Sequence, residues 1–145
     1  MRYSFSGTVS PTELHKQLLV AYICEEMGDC TEVTTGLAPG IDTLAMLHCH
    51  DIFPNALHRV IIPAGKINEK ALDYADEHGF EILEAPLSRH PYRPRNIMLV
   101  QFCDKLVAVP EGPEHAFRRS GTWMTVRIAR AHSTPVEVLH SRRPK

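Results

Sequence analysis

Six short apolar or β-branched runs alternate with five stretches of helical spacing along these 145 residues, and that alternation limits the fold more than any other feature. The runs are 2–6, 31–35, 57–63, 80–83, 106–109 and 135–139. Val60, Ile61 and Ile62, like Leu106, Val107, Ala108 and Val109, are continuous apolar runs of the kind found in strands buried on both faces. Leu14, Leu18, Leu19, Tyr22, Ile23 and Met27 then recur at helical spacing, started by a Ser10/Thr12 cap signal and stopped at Gly28. Further helices are expected from about Asp42 to His50, from an Asn68 cap through His78 with Gly79 as the stop, over 95–102, and from Ser120 to about His132. A loop rich in Pro and Arg, with Pro86, Pro91 and Pro94, precedes the fourth of these. Single helices between strands require right-handed crossovers and a mostly parallel sheet. The expected fold is α/β, a single Rossmann-like three-layer sandwich with a sheet of about six strands. Residues 1–140 form the domain, and 141–145 a basic C-terminal tail.

Composition excludes several classes. With 43% hydrophobic and 23% charged residues the chain is not disordered as a whole. No apolar run approaches the roughly 18 residues of a membrane span, and the N-terminus has no apolar signal segment. The expectation is a cytoplasmic protein with no membrane partner. A net charge of −1 argues against a generally basic nucleic-acid coat. The charge is uneven, however. Residues 1–114 hold nine basic and sixteen acidic side chains; 115–145 hold seven basic (Arg118, Arg119, Arg127, Arg130, Arg142, Arg143 and Lys145) and only Glu137 as an acid. A basic segment on an acidic body fits a local anion site, a contact surface or a solvated helix face. Cys24, Cys30, Cys49 and Cys103 lack metal-ligand spacing. His48, Cys49 and His50 fall within one helix, where residues two apart do not share a face, so no metal is expected.

In a sheet of this kind ligands bind beyond the carboxyl ends of the strands, so function belongs to the βα turns. Three of them combine Gly with hydroxyl residues: Ser6-Gly7-Thr8, the segment from Thr35 through Gly36 and Gly40 to Asp42, and Arg118-Arg119-Ser120-Gly121-Thr122. Gly permits close backbone approach, and a helix N-terminus offers free N–H groups and about half a positive charge; together they suit phosphate.

These turns resemble a known family. Thr35-Gly36-Leu37-Ala38-Pro39-Gly40-Ile41-Asp42 is similar to the S-G-L-A-x-G-I-D segment of the DNA-processing protein A (DprA/Smf) family. Pro94-Arg95-Asn96-Ile97 resembles its F-P-x-R-N-R segment, Arg119-Ser120-Gly121-Thr122-Trp123-Met124-Thr125 its R-S-G-S-x-x-T segment, and Ser6-Gly7-Thr8 falls where that family has G-S-R. The resemblance extends to the wider SLOG superfamily, which includes the LOG-type nucleotide phosphoribohydrolases. It implies a nucleotide or a related phosphorylated ligand at these turns, single-stranded DNA as a partner, and subunit contacts near the site. Two departures stand out. Val9 replaces the Arg of G-S-R, and Thr125 or Met124 occupies the place of the catalytic Glu in the LOG motif P-G-G-x-G-T-x-x-E.

The candidate ligand site therefore comprises Gly7, Thr8, Gly36, Gly40, Asp42, Arg95, Asn96, Ser120, Gly121 and Thr122. Asp42 could meet a ribose hydroxyl, act as a general base, or serve as a first-turn carboxylate favoured by the helix dipole. Arg95 could clamp phosphate or form a salt bridge. Arg119, Trp123, Arg127 and Arg130 could touch nucleic acid or a second subunit; the last three share a helix face. Three functions follow: binding of a nucleotide or nucleotide-derived phosphate with no obligatory cofactor, LOG-like cleavage of a nucleotide N-glycosidic bond, or DprA-like binding of single-stranded DNA. Only the second needs a catalytic acid, for which Asp42 and Glu111 are the candidates. A homo-oligomer is expected.

Overall fold

The computed structural model describes residues 1–65 and 68–140; the expected basic tail at 141–145 lies outside them. Strands β1 (Arg2–Gly7), β2 (Glu32–Thr35), β3 (Leu57–Ile62), β4 (Glu81–Glu84), β5 (Lys105–Val109) and β6 (Val136–Val138) alternate with helices α1 (Glu13–Glu26), α2 (Ile41–Ile52), α3 (Glu69–Glu77), α4 (Tyr92–Gln101) and α5 (Gly121–Ala131). All strand pairs are parallel, in the order β4-β3-β2-β1-β5-β6. The chain steps outward from β1 to β4, then returns to build β5 on the other side of β1. The strand order reverses there, and the loops after β1 and β5 diverge to opposite faces and open a crevice.

Alternation along each strand fills the two helical layers. Tyr3, Phe5, Val33, Val107 and Val109 pack with Leu19, Ile23, Ile41 and Ala45 of α1 and α2. Val60 and Ile62 meet Ala71 and Ala75 of α3. On the opposite face Leu106 and Ala108 pack on Trp123, Val126 and Ala129 of α5, and Ile61 packs on Leu99 of α4. Two polar side chains also serve this second layer. Ser4 Oγ donates to the Leu99 carbonyl of α4 at 2.6 Å. Buried Arg59 reaches Glu81 at 2.7 Å, Glu32 at 3.1 Å and Thr34 at 3.1 Å, with Phe102 4.3 Å from its guanidinium. These contacts satisfy a charge whose burial alone would be prohibitive.

Apart from the start of α4, helix ends fall close to the expected positions and differ in detail. Thr12 caps α1 through a box in which His15 Nδ1 accepts from the Thr12 N–H at 3.0 Å. The fourth helix starts earlier than the prolines suggest, because Pro94 sits in its first turn, where the missing N–H has no helical partner to lose. Asn68 precedes α3 but makes no side-chain cap; its Nδ2 donates instead to the Leu37 carbonyl at 3.0 Å. Among the cysteines, Cys49 and Cys103 are buried and Cys24 is exposed, all as free thiols. Among the described residues no group of three or more His, Cys, Asp or Glu could hold a metal ion, and no helix is long and apolar enough to cross a membrane.

Candidate functional site

A cavity of about 670 Å³ opens at the carboxyl edge, between the loops that follow β1, β2 and β5 and the start of α4. The β1–α1 loop is its fixed point. The Thr8 N–H donates to the Val109 carbonyl at the end of β5 (2.9 Å), and the Thr8 carbonyl accepts from the Ile41 N–H at the start of α2 (3.1 Å). One residue thus pins three elements. Gly40 makes the second contact possible. Its φ of +84° suits Gly, and an added Cβ would stand 2.5 Å from the Thr8 carbonyl oxygen.

The β2–α2 loop forms one wall and part of the floor. Leu37 holds a φ of +62°, a costly conformation for a branched-chain residue, and Asn68 anchors its carbonyl. Asp42 is only 3% exposed. Its Oδ2 accepts from the Ala38 N–H at 3.4 Å, whereas Oδ1, also buried, has no partner. Burial pushes the Asp42 carboxyl up to about 6, against the opposing pull of Arg95 and of the Ala38, Gly7 and Gly36 amides. Arg95 reaches the floor from α4 at 7% exposure. It donates through Nη1 to the Gly36 carbonyl at 2.5 Å and through Nε to Asn96 Oδ1 at 2.8 Å. Burial lowers its pKa, and Asp42 opposes that shift. Gly36 is required here for space: a Cβ would collide with the Arg95 guanidinium and approach Asp42 Oδ2.

The β5–α5 loop supplies the third wall. Glu111, Arg119, Gly121, Thr122 and Met124 line the cavity, with Val9, Pro39 and half-exposed Tyr92 at its more apolar parts. Glu111 Oε1 is buried without a partner. Ser120 is the N-cap of α5, accepting from the Trp123 N–H at 3.1 Å.

The structure thus brings together Gly7, Thr8, Gly36, Asp42, Arg95, Asn96, Glu111, Arg119, Gly121 and Thr122 around one cavity. Gly40 and Ser120 are not among the lining residues; they are the N-caps of α2 and α5. Thr125, one turn into α5, bonds back to the Gly121 carbonyl at 2.9 Å. The shared face expected of Trp123, Arg127 and Arg130 is not presented to solvent as a unit. Trp123 is 3% exposed, and its Nε1 donates to the Gly112 carbonyl at 2.9 Å, because the sheet draws the ring into the α5 layer. Arg127 and Arg130 both pair with Glu114, at 3.4 and 3.1 Å, which neutralises much of the basic stripe. Asn68 and Tyr92 are cavity residues that periodicity misses. Asn68 reads as a helix cap and Tyr92 as part of a Pro-rich loop, and only the contact across loops reveals either.

No family profile and no curated protein sequence matches this chain. Solved structures do. DNA processing protein A from Streptococcus pneumoniae superposes with a TM-score of 0.71 at 20% identity over 94% of this chain and 49% of that one. DNA processing protein A from Helicobacter pylori, whose structure describes its single-stranded DNA binding mode, superposes with a TM-score of 0.73 at 18% identity over 95% of this chain and 64% of that one. The chain therefore spans about half to just under two thirds of those proteins, and over that span it has the Rossmann-type fold of DNA processing protein A.

Proposed function

We propose that the chain is a binding module for a nucleotide or a nucleotide-derived phosphate ligand, held in the carboxyl-edge cavity. One observation carries this reading. A buried acid and a buried arginine, Asp42 and Arg95, share a cavity with the N-terminus of α5, and the cavity has the size of a small-molecule site. In this reading the Gly121 and Thr122 N–H groups and the Thr122 hydroxyl hold phosphate. Arg95 spends its Nε–H and one Nη1–H within the protein, so its contact with ligand falls to the remaining N–H groups of Nη1 and Nη2. The apolar parts lined by Val9, Pro39 and Tyr92 suit a base.

A thermal-shift screen of nucleoside mono-, di- and triphosphates, cyclic nucleotides and ADP-ribose tests it. A ligand at 100 times its Kd adds about 2.7 kcal/mol of stability. Stabilisation by at least one member, lost in Arg95→Met, supports the reading; no stabilisation by any member overturns it. Product analysis of the same mixtures decides whether Asp42 or Glu111 turns a ligand over.

A second reading, single-stranded DNA binding, is favoured by the likeness to the Helicobacter pylori protein and by exposed Arg118 and Arg119 beside the cavity. It requires oligonucleotide affinity that falls steeply with salt. Fluorescence anisotropy across a salt series measures that slope, and a flat or absent signal removes the reading.

A further inference from the structure

Among the described residues six buried side-chain polar atoms lack a hydrogen-bond partner, and two of them, Asp42 Oδ1 and Glu111 Oε1, belong to residues that line the same cavity. They come from different walls, the first turn of α2 and the β5–α5 loop. Leaving a buried acceptor unpaired is costly, so an occupant that bonds with these atoms must offer hydrogen-bond donors. The rest of the cavity sets where those donors lie on the occupant. Carboxylates repel phosphate, so the anionic end belongs at the α5 amides, and the donors must come from another part of the same molecule. Resting on the nucleotide reading above, we infer that the cavity selects ribonucleotides over deoxyribonucleotides, the ribose hydroxyls supplying the donors that Asp42 Oδ1 and Glu111 Oε1 lack. A ribose carries two hydroxyl donors, whereas a 2′-deoxyribose carries one and leaves a buried carboxylate oxygen unpaired. Sites built to bond a hydroxyl discriminate strongly against the analogue that lacks it.

Neither carboxylate is committed elsewhere to a degree that would prevent this. Asp42 spends Oδ2 on the Ala38 amide and keeps Oδ1 open. Glu114, three residues after Glu111 in the same loop, takes both Arg127 and Arg130, so Glu111 is left to the cavity. Arg95 adds positive charge near Asp42, which favours a hydroxyl there over a metal ion.

Isothermal titration of the four ribonucleoside 5′-monophosphates against their 2′-deoxy counterparts, in EDTA, provides the test. The expected result is affinity about tenfold or more higher for the ribose form of whichever base binds. Asp42→Asn and Glu111→Gln should each shrink that ratio, with unfolding curves confirming that both variants fold. Glu111 is partly exposed on a loop, so Glu111→Gln keeps the test usable should Asp42→Asn fail to fold. Equal affinities for the two sugars overturn this inference and leave the nucleotide reading intact. So does a ratio that neither variant changes, or binding that appears only when Mg²⁺ replaces EDTA, because the carboxylates would then hold a cation. No binding by any of the eight overturns ribose selection; the nucleotide reading then falls only if the wider screen is also blank.

Discussion

At the amino edge of the sheet, His50, His58, Tyr74, His78 and Phe80 pack ring on ring. Tyr74 and His78 stack at 4.1 Å, His58 and Phe80 at 5.0 Å, and His50 stands edge-on among them with Nδ1 2.7 Å from the Tyr74 hydroxyl. At the carboxyl edge, Asp42, Arg95, Asn96 and Glu111 lie around a cavity, and Asp42 Oδ1 and Glu111 Oε1 have no partner. Both regions bury titratable groups, but one fills its space with its own side chains and the other keeps space open. The first is organised for packing, the second around a cavity. Their titrations should run in opposite directions. His58 donates through Nε2 to the Phe53 carbonyl at 2.8 Å, and its buried Nδ1 has no partner. Burial, and to a lesser extent neighbouring His50, hold its pKa below the ordinary histidine value. The unfolded chain therefore binds this proton more readily, and stability falls as pH drops below about 6.5. Asp42 is the reverse: with its carboxyl pushed up to about 6, the folded state holds the proton longer, and stability falls as pH rises from about 4 through 6.

Four variants would break or sharpen this contrast. The largest effect is expected from Gly40→Ala, which forces a positive φ on Ala and drives its Cβ against the Thr8 carbonyl. It should cost about 3 kcal/mol in urea unfolding and abolish ligand-induced stabilisation, since Thr8 ties all three loops together. A neutral outcome would mean that the cavity loops are not coupled. Next, Asp42→Asn should stabilise the unliganded protein at pH 7 by up to about 3 kcal/mol, a gain that disappears near pH 4 while ligand affinity falls. If the variant is less stable than wild type at pH 7, the carboxylate is structural and the contrast fails. A smaller change is expected in His58→Gln. Whatever its cost at pH 7, it should flatten the loss of melting temperature between pH 7 and pH 5; an unaltered slope would assign that loss to other groups. Smallest of all is Glu114→Gln. Its pairs with Arg127 and Arg130 are solvent-exposed, so melting temperature should stay within error of wild type. Any oligonucleotide binding should strengthen, and a clear loss of stability would show that the β5–α5 loop is held by charge.

How much of this was readable from the chain differs between fold and site. Each strand and helix follows from spacing within itself: Leu14 through Met27 mark α1, Val60–Ile62 mark β3, and Gly28 and Gly79 mark stops. The glycines of the βα turns were found for the same local reason, but the packing they permit was not. Gly36 and Gly40 read as places of close backbone approach, and the structure shows the space they leave taken by Arg95 and the Thr8 carbonyl. Trp123 looks like one corner of a basic-aromatic face and turns out to be core, because facing a sheet rather than solvent is not encoded in helical spacing alone.

The sequence by itself determined the alternation of strands and helices, the parallel sheet and the glycine-bearing turns, because these rest on interactions a few residues apart. Only the tertiary structure decided that Arg95 of α4 crosses Gly36 to lie near Asp42, that Asn68 holds Leu37 instead of capping α3, and that Asp42 and Glu111 line one cavity, each with a buried oxygen that has no partner. Those outcomes depend on β1 lying between β2 and β5, a pairing across about a hundred residues that sets which loops meet.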